Sequence, residues 1–196
     1  MSPENVATND MLPIRVQPAS FDRDIAKTID DHTDRVDENI AQALTWAGDE
    51  HILIAAAFGL WLISRGSSPR FRTAANQLLA AAAVTGAVPH LAKHAFNQRR
   101  PDRLTVIGHL HGVPIQGRAH DAFPSGHAMH MGALASAASE FPRPLKAATW
   151  TATIGISLTR IFTLAHWTSD VIVGFASGFV IERALRRLTG YGREKR

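Results

Sequence analysis

From residue 51 to residue 188 the chain is a succession of apolar segments of helix length, each closed by a basic or proline-bearing break. The first covers about 51–64 and stops at Arg65, Gly66 and Pro69. The second, about 73–96, is alanine-rich, with Pro89 as an expected kink. The third opens at Ser125 and reaches about 141, before Pro142-Arg143-Pro144; the fourth spans about 145–164 and the fifth about 169–188. None alternates in the manner of a half-buried strand, and no internal repeat stands out. The fold expected is all-α: an antiparallel bundle of about five or six helices, mostly membrane-embedded.

Ahead of the bundle, residues 1–20 carry Pro3, Pro13 and Pro18 among polar residues and read as a flexible tail. Residues 21–48 place Ile25, Ile29, Val36, Ile40, Ala43 and Leu44 at helical spacing, opposite a face of Asp and Glu. That pattern makes an amphipathic arm, either packed across the mouth of the bundle or lying on a bilayer. The bundle domain itself is expected over 49–190.

Charge placement supports a membrane rather than a nucleic-acid partner. The chain has a formal net charge of +4 and no cysteine, which removes disulfides and thiolate metal sites. Its basic residues form short patches between apolar segments, not one stripe interleaved with aromatics. Arg65, Arg70 and Arg72 follow the first segment, Arg143 and Lys146 the third, and Arg183, Arg186, Arg187, Arg193, Lys195 and Arg196 the fifth. These ends share one side of an up-down bundle, and basic flanks are retained in the cytoplasm. The expectation is a multi-pass protein of the cytoplasmic membrane with a cytoplasmic C-terminus. The 97–124 loop would lie on the extracytoplasmic side. No secretory leader is read at the N-terminus, so a soluble secreted protein is not expected.

Three clusters of ionisable residues interrupt this apolar background. In Arg160-Ile-Phe-Thr-Leu-Ala-His166-Trp-Thr-Ser-Asp170, the histidine and aspartate are four apart and share one helical face. A carboxylate there could hold one ring nitrogen protonated and leave the other free to attack or to take a proton, with Arg160 as a planar cation for an anion. A plain charge cluster capping two helix ends is the alternative. Lys93 to Arg100-Pro101 reads alone as a basic helix end. Pro124-Ser125-Gly126-His127 opens a helix, with Ser125 as N-cap, free amides suited to an anion, and His127 placed to donate a proton. Combined, Lys93, Arg100, Ser125, Gly126 and Arg160 supply enough donors to wrap a phosphoryl group. His127 and His166 add an acid and a nucleophile.

This arrangement resembles the type 2 phosphatidic acid phosphatase superfamily, which also includes bacterial acid phosphatases and vanadium haloperoxidases. Its first motif, Lys-x6-Arg-Pro, is matched by Lys93 through Arg100-Pro101, and its second, Pro-Ser-Gly-His, by Pro124–His127. The third, Ser-Arg-x5-His-x3-Asp, is matched at Arg160, His166 and Asp170. There Thr159 replaces the serine, and Thr168 replaces a proline often found two residues after the histidine. The resemblance covers about 45–188.

It implies that His166 attacks phosphorus to form a phosphohistidine while Asp170 holds its ring. His127 would protonate the leaving alcohol and then activate water. Lys93, Arg100, Arg160, Ser125 and Gly126 would hold the phosphoryl oxygens, without metal or other cofactor. The implied substrate is a lipid or polyprenyl phosphate or diphosphate. A vanadate-dependent oxidase of the same fold, or a lipid-phosphate binder or transporter without catalysis, are the competing readings. His90, His94, His109, His111, His120 and His130 are expected to be solvated or supporting rather than metal ligands; Asp121 and Arg118, close to the Pro-Ser-Gly-His turn, could contact a substrate head group. Oligomeric state cannot be read from the chain.

Overall fold

The computed structural model describes residues 14–32, 35–101 and 121–193. Over these residues the chain is helical apart from two two-residue strands. The arm is a pair of helices, α1 (Ser20–His32) and α2 (Arg35–Thr45), followed by a 3-10 turn at Trp46–Gly48. Helix α3 (Glu50–Ser64) starts where the Asp49 carboxylate accepts the His51 and Ile52 amides at 3.0 and 3.2 Å. Helix α4 (Pro69–Ala95) begins earlier than the apolar run suggests, because Ser68 caps it and Pro69 suits the first turn; it continues through Pro89. Ser125 caps α5 (Gly126–Ala137), α6 is Arg143–Phe162, and α7 (Thr168–Thr189) ends on Gly190 in the left-handed conformation.

The 14–20 stretch corrects the expectation of a loose tail. Ile14–Arg15 forms β1, which pairs in parallel with β2 (Phe96–Asn97) in the register Ile14 to Phe96 and Arg15 to Asn97. Two-residue strands are too short for any alternation to mark them in sequence. Residues 1–13, with Pro3 and Pro13, and residues 102–120, with His109, His111, Arg118 and His120, lie outside the described residues.

From α3 onward the helices reverse direction in turn, so α5 and α7 run parallel and α4 and α6 run against them. Helix α5 is central, packed on α4, α6 and, most extensively, α7. Glycine makes that last contact possible. A Cβ on Gly132 would fall 1.9 Å from the Phe175 carbonyl oxygen, and one on Gly178 1.8 Å from that of Met129. Backbone touches backbone here, as small residues permit between apolar helices.

The helix ends therefore sort into two groups. The C-termini of α4 and α6 and the N-termini of α5 and α7 meet at one end, with Lys93, Ser125, Arg160 and Asp170. The opposite end carries a buried polar network centred on Glu182, which accepts from Gln77 at 2.9 Å, from Arg186 at 2.9 and 3.0 Å, and from Ser136. Between the two ends the outer surface is apolar. Phe58, Leu62 and Ile63 on α3, Ile154 and Leu158 on α6, and Ile172 and Val180 on α7 are all exposed. Among the described residues one stretch, Asn39–Ser64, is both long and apolar enough to cross a bilayer by composition. Helices α4, α6 and α7 match a bilayer in length but carry the charges of the site and of the Glu182 network.

Candidate active site

The turn between α6 and α7 is built before it is used. The Arg160 carbonyl accepts the amides of both Ala165 and His166 at 3.1 Å, and Leu164 takes a left-handed φ of 49°. That conformation is costly for a branched residue and persists because Leu164 is locked into a cluster with Ala26, Ala122 and Trp167. His166 is thereby turned inward and is 3% exposed. Its Nδ1 lies 2.7 Å from the Ala122 carbonyl oxygen, an acceptor only, so Nδ1 carries the proton and Nε2 keeps its lone pair. The Asp170 carboxylate is 3.8 Å from the same Nδ1, and its Oδ2 accepts the Trp167 amide at 3.0 Å. Asp170 thus caps the helix it opens and stands beside the ring.

The cations converge on this histidine. Arg100 donates from Nη1 to the Ala165 carbonyl at 2.9 Å, and from Nε and Nη2 to Asp121 Oδ1 at 3.1 and 2.9 Å. Lys93 Nζ is 3.6 Å from the other Asp121 oxygen. Asp121 accordingly bridges two of the cations that the sequence assigns to phosphate. Arg160 is 2% exposed, and neither its Nε nor its Nη1 has a hydrogen-bonding partner among the described residues. A buried guanidinium with two donors left over is an anion site by its chemistry, since burial without a partner is expensive. Burial, and then the Arg100 and Arg160 guanidiniums, hold the His166 imidazole well below the usual histidine range; the Ala122 bond opposes them and His127 adds a smaller push down. The ring is neutral and its Nε2 is nucleophilic.

Ser125 stands at the start of α5, fully buried. Its Oγ accepts the Ala128 amide at 3.4 Å, while its own amide donates to the Asp170 carbonyl at 3.2 Å. A Cβ on Gly174 would fall 2.4 Å from the Ser125 carbonyl oxygen, so α7 presses directly on this helix start. Gly126 follows with its first-turn amide, and His127 comes next, its Nε2 buried with no partner among the described residues. Thr159 hydrogen-bonds Thr45 at 3.0 Å, joining α6 to the arm.

Several contributors carry no sequence signal that marks them. The Ala122 carbonyl is one. Trp167, whose indole donates to the Arg99 carbonyl at 2.7 Å, is another. Buried His130 is a third: Thr85 donates to the Ala81 carbonyl at 2.7 Å, so its oxygen accepts from His130 Nδ1, also 2.7 Å away. Of the outlying histidines, His90 pairs with Glu50 at 3.1 Å on the surface. No group of three or more potential ligands arranged for a metal ion is found among the described residues.

Residues 74–194 match the family model of the PAP2 superfamily. This chain belongs to the PAP2 superfamily. Among curated proteins, lipid A 1-phosphatases of Rhizobium johnstonii and Rhizobium etli are each 30% identical over 155 residues, or 72% of this chain. The PAP2 chain spans 63% and 66% of their respective lengths. Among solved structures, Aquifex aeolicus LpxE superposes with a TM-score of 0.66 at 15% identity, covering 89% of this chain and 99% of that one. A transmembrane PAP2 type phosphatidylglycerolphosphate phosphatase from Bacillus subtilis gives 0.63 at 16% identity, covering 87% and 85%. These two likenesses establish the PAP2 fold.

Proposed function

We propose that this PAP2 protein is a membrane-embedded, metal-independent phosphatase acting on a lipid or polyprenyl phosphate or diphosphate through a phosphohistidine. The observation that carries the reading is His166: a buried, neutral imidazole whose Nδ1–H is bound to the Ala122 carbonyl, within the field of the buried Arg160 guanidinium, whose Nε and Nη1 have no partner among the described residues. His166 Nε2 attacks phosphorus while the P–O bond to the leaving alcohol breaks, and His127 gives that oxygen its proton. In the second step His127 takes a proton from water, whose oxygen attacks phosphorus and returns His166 Nε2 to its neutral state with release of phosphate. Arg160, Arg100, Lys93, the Ser125 hydroxyl and the Gly126 amide stabilise charge on the phosphoryl oxygens in both transition states. Asp170 stabilises the imidazolium character that develops at His166.

The exposed apolar belt supports insertion in a bilayer, because its side chains would otherwise meet water over several helices. The same belt lets an acyl or prenyl tail remain in lipid while its phosphate enters from the side. Basic residues at the far end favour a cytoplasmic C-terminus and an extracytoplasmic site. Given the relatives' activity, the 1-phosphate of lipid A is the first substrate to offer, followed by phosphatidic acid, phosphatidylglycerol phosphate and polyprenyl diphosphate.

The test is phosphate release from that panel by purified protein in detergent with EDTA. At least one lipid should be hydrolysed at a rate EDTA leaves unchanged, and an acid-labile phosphoryl-enzyme should form in the native protein but not in His166→Ala. Turnover that survives His166→Ala, or that EDTA stops, would refute the mechanism.

A further inference from the structure

The arm makes one contact with the site that reaches past packing. Asp22 on α1 is 1% exposed, and its carboxylate is spent on α7. Oδ1 accepts the Ser169 amide at 2.8 Å, and Oδ2 accepts the Ser169 hydroxyl at 2.8 Å and the Ala19 amide at 3.0 Å. Ser169 sits between His166 and Asp170. The residue at the N-cap of α7 is Trp167, whose indole cannot accept from the first-turn amides. Two amides at this helix start are met by carboxylates instead: that of Trp167 by Asp170 from within the helix, and that of Ser169 by Asp22 from another element.

The arm also holds the other pieces of the centre. Ala26 packs against Leu164, Trp167 and Ala122, the residue whose carbonyl takes the His166 proton, and Ile29 lies against the same cluster. Strand β1 pairs with β2 between Lys93 and Arg100, the Val16 amide donating to the Asn97 carbonyl at 3.0 Å. None of these arm residues lies in the 74–194 segment that matches the family.

We infer that Asp22 is a positioning residue for catalysis: by capping α7 from outside, it fixes the turn that presents His166 and the helix start that carries Asp170. The inference rests on the reading of His166 as nucleophile. A cap needed only for helix stability would be met by one carboxylate. Two on one N-terminus, one of them supplied from a separate helix, hold the turn in register with the arm and with Ala122 beneath it.

The experiment uses the full chain in detergent with p-nitrophenyl phosphate, comparing Asp22→Ala, Asp22→Asn, Ser169→Ala, the Asp22→Ala/Ser169→Ala pair, Ser68→Ala and His166→Ala. Asp22→Ala should lower kcat about tenfold with KM unchanged within about twofold, the scale expected when hydrogen bonds to a charged group are lost. Ser169→Ala, which keeps the amide contact, should lose less, and the double variant no more than Asp22→Ala alone. Asp22→Asn should fall between native protein and Asp22→Ala, and it decides the matter if the alanine variant does not fold. Ser68→Ala, which removes the cap of α4 at the opposite end of the bundle, should lower the melting temperature while kcat holds. Native kcat in Asp22→Ala and Asp22→Asn, additive losses in the double variant, or an equal kcat loss in Ser68→Ala at matched stability would overturn the assignment. Turnover in His166→Ala would instead overturn the reading of the site, whatever Asp22 does.

Discussion

His166 delivers its Nδ1 proton to the backbone carbonyl of Ala122, 2.7 Å away, and not primarily to a side chain. A backbone acceptor cannot be removed by substitution, so the tautomer survives changes at Asp170, which lies 3.8 Å from the same nitrogen. Asp170→Asn should therefore cost roughly 10–100-fold in kcat, as loss of a supporting partner does. Where a carboxylate alone sets the tautomer, the loss is on the order of 10⁴. Asp170→Ala should lose more, because the Trp167 amide then also loses its acceptor. Steady-state kinetics on a soluble phosphate monoester distinguish the cases. A loss in Asp170→Asn as complete as in His166→Ala would make the carboxylate the essential partner.

The depressed basicity of His166 has a pH signature in both activity and stability. Its pKa in the fold lies well below the ordinary value through burial and then the Arg100 and Arg160 charges. The His166 ring therefore stays neutral as pH falls through about 6.5, the ordinary imidazole value, and with His166 as the proposed nucleophile the acidic limb of kcat/KM should lie below it. For folding the sign is opposite: between the two pKa values the unfolded chain binds a proton that the native chain does not. Stability is lost as pH drops below the unfolded value. Melting temperatures in detergent from pH 8 to pH 5 should fall more steeply for native protein than for His166→Asn. Parallel curves would mean an ordinary, solvated ring.

Glycine substitutions should separate the helix crossing from the lipid-facing surface. At Gly178 or Gly132 a Cβ would meet a carbonyl oxygen at 1.8 or 1.9 Å, so alanine must push α5 off α7. Overpacking of this kind costs about 1–3 kcal/mol or more, and here it also shifts Ser125 and His127 relative to Asp170. At Gly59 and Gly155 nothing lies within 4 Å of the added atom. Alanine there should be neutral or stabilise by up to about 1 kcal/mol through helix propensity. Melting temperature and specific activity should fall together for the first pair and hold for the second.

What could be read from the chain follows from the cost of burying charge. Arg160, His166 and Asp170 stand out in an apolar run because an ionisable group there needs a reason, and helix-length apolar segments leave few folds open. The all-α bundle was legible on those grounds, and they single out the residues proposed for the site. The Ala122 carbonyl was not, since a backbone acceptor leaves no side-chain signature. Nor was Asp22, one acid among many on an amphipathic arm, where only the fold distinguishes the buried one from its solvated neighbours. Asp121 was visible as an acid near the site, but its bridge between Lys93 and Arg100 depends on two segments meeting.

The far end of the bundle offers a control on all of these effects. Glu182 is fully buried and accepts from Gln77, Ser136 and Arg186, while Arg186 also reaches Glu140 at 2.7 Å and the Ser136 carbonyl at 2.7 Å. Removing the carboxylate strands the buried Ser136 hydroxyl, leaves Gln77 only the Glu182 backbone carbonyl, and leaves Arg186 with Glu140, the Ser136 carbonyl and Ser139. Glu182→Ala should destabilise by about 3 kcal/mol, the low side of a broken buried pair because Glu140 remains. Glu182→Gln keeps the shape but turns an amide donor toward other donors, and should cost about 1–2 kcal/mol. Glu182 lies twelve residues after Asp170 along α7, about 18 Å at the helical rise. Per folded molecule, kcat should therefore be native in both variants while the melting temperature falls in that order. A kcat loss in Glu182→Gln at a temperature where the protein is fully folded would show that the network reaches the site through α7, and that the crossing at Gly178 transmits strain rather than absorbing it.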